Sequence, residues 1–294
     1  MVIGEAVSAF GKVGVEIDFY GDKNKEIKIN GVPVAKIGEL IGNVNSVFFN
    51  PAELKLIQEA PEDRRRFLDI SLSQMSSKYF YALQKYKKVL SQRNNLLKEQ
   101  DRDRVFDTLP VWDVSLASAG ARVVFERNAY IAKLAPLAKE AHAMITDGAE
   151  EMTVSGDYKY EGEEGEISDQ LMAALKERAE KDYELGYTTV GPHRDDLKIK
   201  VNGVDVRIYG SQGQQRTCAL SLNLAETEIF KERFGEYPVL ILDDAFSELD
   251  KLRRNNLLLA AKKMQTIITC TEPDSVPGYE GYNNIKIQNG KIIR

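Results

Sequence analysis

Residues 237–250 read YPVLILDDAFSELD, an aliphatic run that ends in two adjacent carboxylates. Val239 to Leu242 is the longest run of Val, Ile and Leu in the chain, and it has the length of one buried strand. A strand buried in this way needs other elements to cover it. With 294 residues, 43% of them hydrophobic and 29% charged, the chain has material for a sizeable core and for more than one domain or lobe. The same stretch falls far short of the roughly 18 apolar residues that cross a bilayer, so no membrane span is expected. The first residues, MVIGEAVSAFGKVGVEIDF, show no basic region followed by an apolar core and a small-residue cleavage site, and a cytoplasmic location is expected.

Cys218 and Cys270 are the only cysteines and lack CxxC spacing, which excludes a disulfide framework and a cysteine metal cluster. Both are expected to be small buried hydrophobes. His142 and His193 are the only histidines, so a protein-built zinc site or a His-based catalytic triad has little to work with. Chemistry must then rest on carboxylates, backbone amides and hydroxyls. The net charge of -5 hides segregation: Pro61 to Lys98 carries nine Lys or Arg against three Asp or Glu, whereas Glu150 to Glu184 has twelve acids against four bases. A nucleic-acid partner depends on local basic surface and is compatible with the acidic total.

Three segments place Asn-Gly between alternating apolar runs: EIKI-Asn30-Gly31-VPVAKI, LKIKV-Asn202-Gly203-VDVRIY and IKIQ-Asn289-Gly290-KIIR. Each predicts a hairpin with a type I′ turn, because both residues tolerate positive φ. Between them the period becomes helical. Leu68, Leu72, Met75, Tyr79, Leu83, Tyr86 and Leu90 form one seam, and Trp112, Leu116, Ala119, Val123, Tyr130, Leu134, Leu137, Ala141 and Ile145 form a second, after a polar break at Gln100 to Arg104 and a proline at Pro110. Two such helices predict an antiparallel hairpin. Ser155 to Glu166 reads as an acidic, solvated loop and about Ser168 to Tyr183 as a shorter helix. The expected organisation is a strand-rich part, 1–55 and 185–294, with a helical lobe, 56–184, inserted between its halves.

An aliphatic strand followed by two carboxylates is the Walker B arrangement, in which Asp243 orients Mg²⁺ beside a nucleotide phosphate and Asp244 polarises an attacking water. Upstream, Tyr209-Gly210-Ser211-Gln212-Gly213-Gln214 feeds a helix whose period runs through Leu220 and Leu224. Such a turn presents N–H groups, a hydroxyl and the positive helix end to an anion. Read alone it is more readily a serine helix cap beside a glycine loop. About thirty residues then separate it from the Walker B strand, the order found in ABC-type ATPase heads.

Four segments in this order, FFNPAELKLIQEAPEDRRRFLD (48–69), GYTTVGPHRDDL (186–197), YGSQGQQRTCALSLNLAE (209–226) and PVLILDDAFSELDKLRR (238–254), resemble the RecF family, which is related to the SMC and Rad50 ATPases. The resemblance spans nearly the whole chain. It implies an α/β, ABC-type P-loop ATPase head (lobe I) with an inserted all-helical lobe II, acting in DNA replication, DNA repair and the SOS response. It also implies a weak DNA-stimulated ATPase that dimerises on ATP, binds single-stranded and gapped double-stranded DNA near the nucleoid, and helps RecO- and RecR-type mediators load recombinase. Carried over by residue, Asp243 is the Mg²⁺ ligand, Asp244 the catalytic carboxylate, Ser211, Gly213 and Gln214 the signature loop that meets ATP on the other subunit, and Ser247 to Asp250 the D-loop. Cys270, in IITCTE, lies where related heads carry a switch residue, with Thr269 and Thr271 as substitutes. His193, Arg194, Asp195 and Asp196 match the family pattern without an assigned role.

The family's P-loop, GxxxxGK[ST], does not occur in these residues. The nearest approach, Gly4 to Lys12, has six residues between its glycines and Val13 after the lysine. The expectation is an N-terminally incomplete product with Met1 an internal start and an exposed sheet edge. Arg64, Arg65, Arg66, Lys85, Lys87, Lys88 and Arg93 are the candidates for phosphate contact, without a base-reading motif. A non-catalytic DNA-binding or assembly subunit is the alternative.

Overall fold

The computed structural model describes residues 1–8, 11–20, 24–34, 37–157, 159–247, 249–272, 276–278 and 281–293; Glu248, within the expected D-loop, lies outside them. The chain opens with strands β1 (Val2–Ser8), β2 (Gly11–Tyr20), β3 (Asn24–Ile29) and β4 (Val32–Pro33), an antiparallel sheet in spatial order 1-2-3-4. Gly4 to Ser8 and Gly11 to Lys12 thus lie on two antiparallel strands, with Gly4 opposite Val15. The β3–β4 turn carries Asn30 at φ 50° and Gly31 at φ 78°, as a type I′ turn requires. The Asn30 carboxamide also accepts the Gly14 N–H at 2.7 Å, which ties the turn to β2.

β5 (Ser46–Phe49) belongs to a different, parallel sheet, and a short helix α1 (Lys55–Gln58) leads from it into α2 (Pro61–Met75), α3 (Ser77–Leu96) and α4 (Arg102–Thr146). The first seam is buried as expected from Leu68 to Tyr86, but it is divided between two helices. Ser76 is extended and its hydroxyl accepts the Tyr79 N–H at 3.1 Å, capping α3 at that point. After a turn at 97–101, α4 returns along α3 as the second half of the hairpin. It begins well before Pro110, because Asp101 caps it by accepting the Arg104 N–H at 3.1 Å. Pro110 and Pro136 each remove one backbone hydrogen bond, yet the helix runs through both over 45 residues. Burial of Leu109, Leu116, Val123, Tyr130, Leu134 and Ile145 along its length sustains it.

The segment expected to be all-helical also holds β6 (Met152–Gly156), which pairs antiparallel across the boundary expected at 184 with β7 (Leu197–Val201). The acidic run between them is shorter as a loop than its composition suggests. Glu163 and Glu166 form a capping box and start α5 (Glu164–Leu185) within it, at the helix end where carboxylates are favoured. Asn202 and Gly203 turn β7 into β8 (Val204–Asp205), but the expected strand VDVRIY stops there. The Asp205 carboxylate accepts the Arg207 N–H at 2.9 Å and caps α6 (Val206–Tyr209).

The chain then forms α7 (Gln212–Phe234), β9 (Val239–Asp243), α8 (Lys251–Ala261), β10 (Thr266–Thr269) and a terminal hairpin of β11 (Lys286–Gln288) and β12 (Lys291–Ile293) around Asn289-Gly290. β9 is the middle strand of the parallel sheet β10-β9-β5, with Leu240 and Leu242 buried. α7 is buried almost around its circumference, packed against β5 on one side and α4 on the other. α4 therefore forms the spine against which α3, α5, α7, α8 and β6 pack. Cys218 is buried in α7 as expected, whereas Cys270 is exposed just beyond β10, since the strand ends before it.

Candidate functional site

The parallel register sets Asp243 of β9 opposite Thr269 of β10 and Phe49 of β5 opposite Leu242. The Thr269 hydroxyl donates to Asp243 Oδ1. The Asp244 N–H in turn approaches both the Thr269 hydroxyl and the Thr269 carbonyl at 3.2 Å. Asp244 adopts φ 49°, a left-handed conformation that aspartate reaches more readily than most residues, and the chain turns there off the sheet. The Asp243 carboxylate and the Asp244 backbone are thereby held at the carboxyl edge of the central strand, where open α/β sheets bind ligands. Of the three residues read around the switch position, Thr269 is the one in contact with the carboxylate.

The loop that follows is anchored at both ends. Ser247 Oγ donates to the Asp244 carbonyl at 3.2 Å, and the loop's own residues Ala245, Phe246 and Leu249 are buried. Asp250 caps α8 by accepting the Arg253 N–H at 2.9 Å, while Arg254 Nε donates to the Leu249 carbonyl at 2.7 Å. Among the described residues no group of three or more His, Cys, Asp or Glu is placed to hold a metal ion.

At the start of α7, Ser211 Oγ accepts the Gln214 N–H at 3.2 Å and Gln214 Oε1 accepts the Ser211 N–H at 3.0 Å. This capping box satisfies two helix-end groups and leaves the Gln212 and Gly213 amides in the first turn. Arg253 also reaches Asp250 Oδ2 at 3.3 Å and lies close against Gly213, where an added Cβ would stand 3.3 Å from its Nη1. The predicted site residues thus form two groups. Asp243, Asp244 and Ser247 share one loop, and Ser211, Gly213, Gln214 and Asp250 gather around Arg253, a residue of the 238–254 segment to which the sequence assigns no role.

The basic candidates divide by burial. Arg66, Lys85 and Lys88 are exposed; Lys87 is exposed and pairs with Asp69 at 3.4 Å. Arg65 is half-buried and donates to the Asp195 carbonyl at 2.7 Å, and burial lowers its pKa. Arg64 and Arg93 depart from the expectation of solvent-facing phosphate contacts. Arg64 is buried, bonded to Asp196 at 2.6 Å and to the Glu59 carbonyl at 3.0 Å, and Arg93 is fully buried between Asp113 and Asp182, each at 2.7 Å. Neither faces solvent, so neither meets a phosphate in this fold.

The segment without an assigned role, His193 to Asp196, fastens the helices to the strands. His193 Nε2–H donates to the Thr188 carbonyl at 3.0 Å, leaving Nδ1 to accept the Tyr86 hydroxyl at 2.6 Å. Burial drives this imidazole down to about 4, so it is neutral at pH 7. Burial raises Asp195 to about 6, opposed by the nearby Arg127, which itself donates to Asp69 and to the Pro192 carbonyl at 2.7 Å.

No protein-family model matches the chain. Curated relatives do. The chain is 46% identical over 296 residues to "DNA replication and repair protein RecF" of Halothermothrix orenii, covering 96% of this chain and 77% of the relative. It is 44% identical over 263 residues to the protein of the same description from Alkaliphilus oremlandii, covering 88% and 72%. Among solved structures, the recombination mediator protein RecF-ATPrS in the RecFOR pathway superposes with a TM-score of 0.86 at 36% identity, covering 99% of this chain and 78% of that one. The corresponding RecF-ATP structure gives 0.84 at 34% identity, with the same coverage.

Proposed function

The chain belongs to the RecF family of recombination-repair proteins and has its α/β, ABC-type ATPase head with a helical lobe, and on that premise we propose that it acts as one half of an ATP-dependent dimer at gapped or single-stranded DNA. In that role it helps RecO- and RecR-type mediators load recombinase. The observation that carries the reading is the fixed pair Asp243 and Asp244 at the carboxyl edge of β9, in one chain with a capped Ser211-Gln212-Gly213-Gln214 turn. Asp243 and the Thr269 hydroxyl are the hard oxygen donors that Mg²⁺ takes, and a single protein carboxylate is enough for an ion that fills its shell with water and phosphate oxygens. Asp244 is positioned to orient an attacking water.

The first-turn amides of α7 and the Ser211 hydroxyl form the anion-facing end of a long helix. Set against ATP carried by a partner subunit that has GxxxxGK[ST], they stabilise charge that builds on the γ-phosphate, which makes hydrolysis depend on dimerisation. The RecF-ATP and RecF-ATPrS relatives support ATP as the nucleotide. These 294 residues contain no GxxxxGK[ST]. Arg66, Lys85, Lys87 and Lys88, with the half-buried Arg65, are the phosphate-contacting candidates on α2 and α3.

The test uses a RecF relative that carries GxxxxGK[ST] but whose signature serine has been replaced. Its ATP turnover on gapped duplex DNA is measured with and without this chain. Intact chain is expected to restore turnover and Ser211→Arg to fail. No restoration overturns the composite site, and DNA binding retained in that case leaves a non-catalytic assembly subunit.

A further inference from the structure

α4 ends at Thr146, and the chain reverses through Asp147 at φ 53° and Gly148 at φ 73°, both left-handed. The reversal carries Glu150 to the point where three helices meet. Glu150 Oε1 accepts from Arg253 Nη2 of α8 at 3.1 Å and from Gln214 Nε2 of α7 at 3.3 Å. Its other oxygen, Oε2, lies 3.2 Å from His142 Nε2 of α4. His142 is fully buried, and its Nδ1 faces Ser221 Oγ of α7 at 3.1 Å. A second tie lies nearby, where Asn256 of α8 donates to the Ile145 carbonyl of α4 at 3.2 Å.

We propose that Glu150 is a positioning residue that sets the first turn of α7, with its signature loop, against the first turn of α8, behind the D-loop, and fixes both to the base of α4. The role rests on the reading of Ser211 to Gln214 as the phosphate-facing loop. Three features argue for it. Glu150 is the shared acceptor of a signature side chain and of the arginine that also holds the helix cap Asp250. Its side chain is only 15% exposed and Arg253 only 20%, so these charge-assisted bonds form away from bulk screening and are stronger than surface pairs. Gly213 leaves room for the guanidinium, and a larger residue would press on Arg253 and shift the contact. Removing the carboxylate strands a half-buried cation between two loops that must keep their spacing to act on one phosphate.

Amide hydrogen exchange of the full chain, without nucleotide, tests this. Glu150→Gln should speed exchange about tenfold both at residues 214–217 and at residues 253–256, with β6 and α3 unchanged. Arg253→Met, which leaves the His142 contact in place, should loosen residues 214–217 although it lies on the other helix. Combined with Glu150→Gln it should add nothing further at residues 214–217, since Arg253 reaches that loop through its bond to Glu150. Additive effects, or loosening confined to one helix, overturn the proposal. Because no nucleotide is present, that failure is separate from a failure to restore turnover in the two-protein assay, which falls on the functional reading alone.

Discussion

Thr269 ends β10 directly beside Asp243, which ends β9, and its hydroxyl donates to that carboxylate while facing the N–H of Asp244. One hydroxyl therefore sets the placement of both acidic residues. Thr269→Val keeps the branched shape and removes the hydroxyl, at an expected cost of about 1–2 kcal/mol in urea unfolding. Thr271→Val should stay within about 0.5 kcal/mol of the parent. Equal losses for the two variants would show that the hydroxyl does not organise the strand ends.

Arg93 behaves as a core residue in spite of its charge. It bonds Asp113, Asp182 and the Thr188 hydroxyl with no exposed surface, so Arg93→Ala leaves two buried carboxylates short of their cation. The expected loss is about 3–5 kcal/mol by denaturant titration. A loss under about 1 kcal/mol, the size of a surface pair, would contradict the buried assignment.

Arg66, Lys85 and Lys88 should show the opposite behaviour. Each is exposed, and alanine at any one of them should leave the unfolding midpoint almost unchanged. Fluorescence anisotropy on gapped duplex DNA between about 50 and 200 mM salt should show the slope of log affinity against log salt reduced by roughly one per residue. An unchanged slope in all three variants would remove α2 and α3 from the DNA-facing surface.

Burial raises Glu53 to about 7 and Glu226 to about 8, opposed by the Asn223 amide on Glu53 and by Ser71 on Glu226. Both folded-state values lie above the ordinary carboxylate value of 4.5. Between that value and about 8 the unfolded chain has released protons that the folded chain still holds, so stability falls as pH rises through this window. Glu226→Gln cannot ionise and should flatten that fall when Tm is followed from pH 5 to pH 9. His193, lowered to about 4, works in the other direction: its contribution is present above pH 6.5 and is lost as pH falls toward 4.

Local chemistry carried much of this architecture. The three Asn-Gly turns, the strand ending at Asp243 and the serine cap at Ser211 depend on residues close in sequence, and each formed where the sequence placed it. Periodicity revealed the buried seam of α2 and α3 but not the break at Ser76, since a serine cap leaves the apolar spacing unchanged. The strand β6 stayed hidden because its partner β7 lies more than forty residues onward. Long-range pairing also misled the charge reading. Arg64 and Arg93 look like their exposed neighbours in sequence, and only contacts with Asp196, Asp113 and Asp182 bury them. The contact between Glu150 and Arg253, 103 positions apart, carried no local signal for the same reason.

At 1.5 Å per residue, the 45 residues of α4 extend about 68 Å. A tilt of about 5° at its base displaces its far turn by about 6 Å over that length. The helix is a lever whose short end lies among Glu150, Gln214 and Arg253 and whose long end lies at the turn of 97–101. An ångström-scale shift at that remote turn corresponds, over this length, to a tilt of only about 1° at the base of the helix.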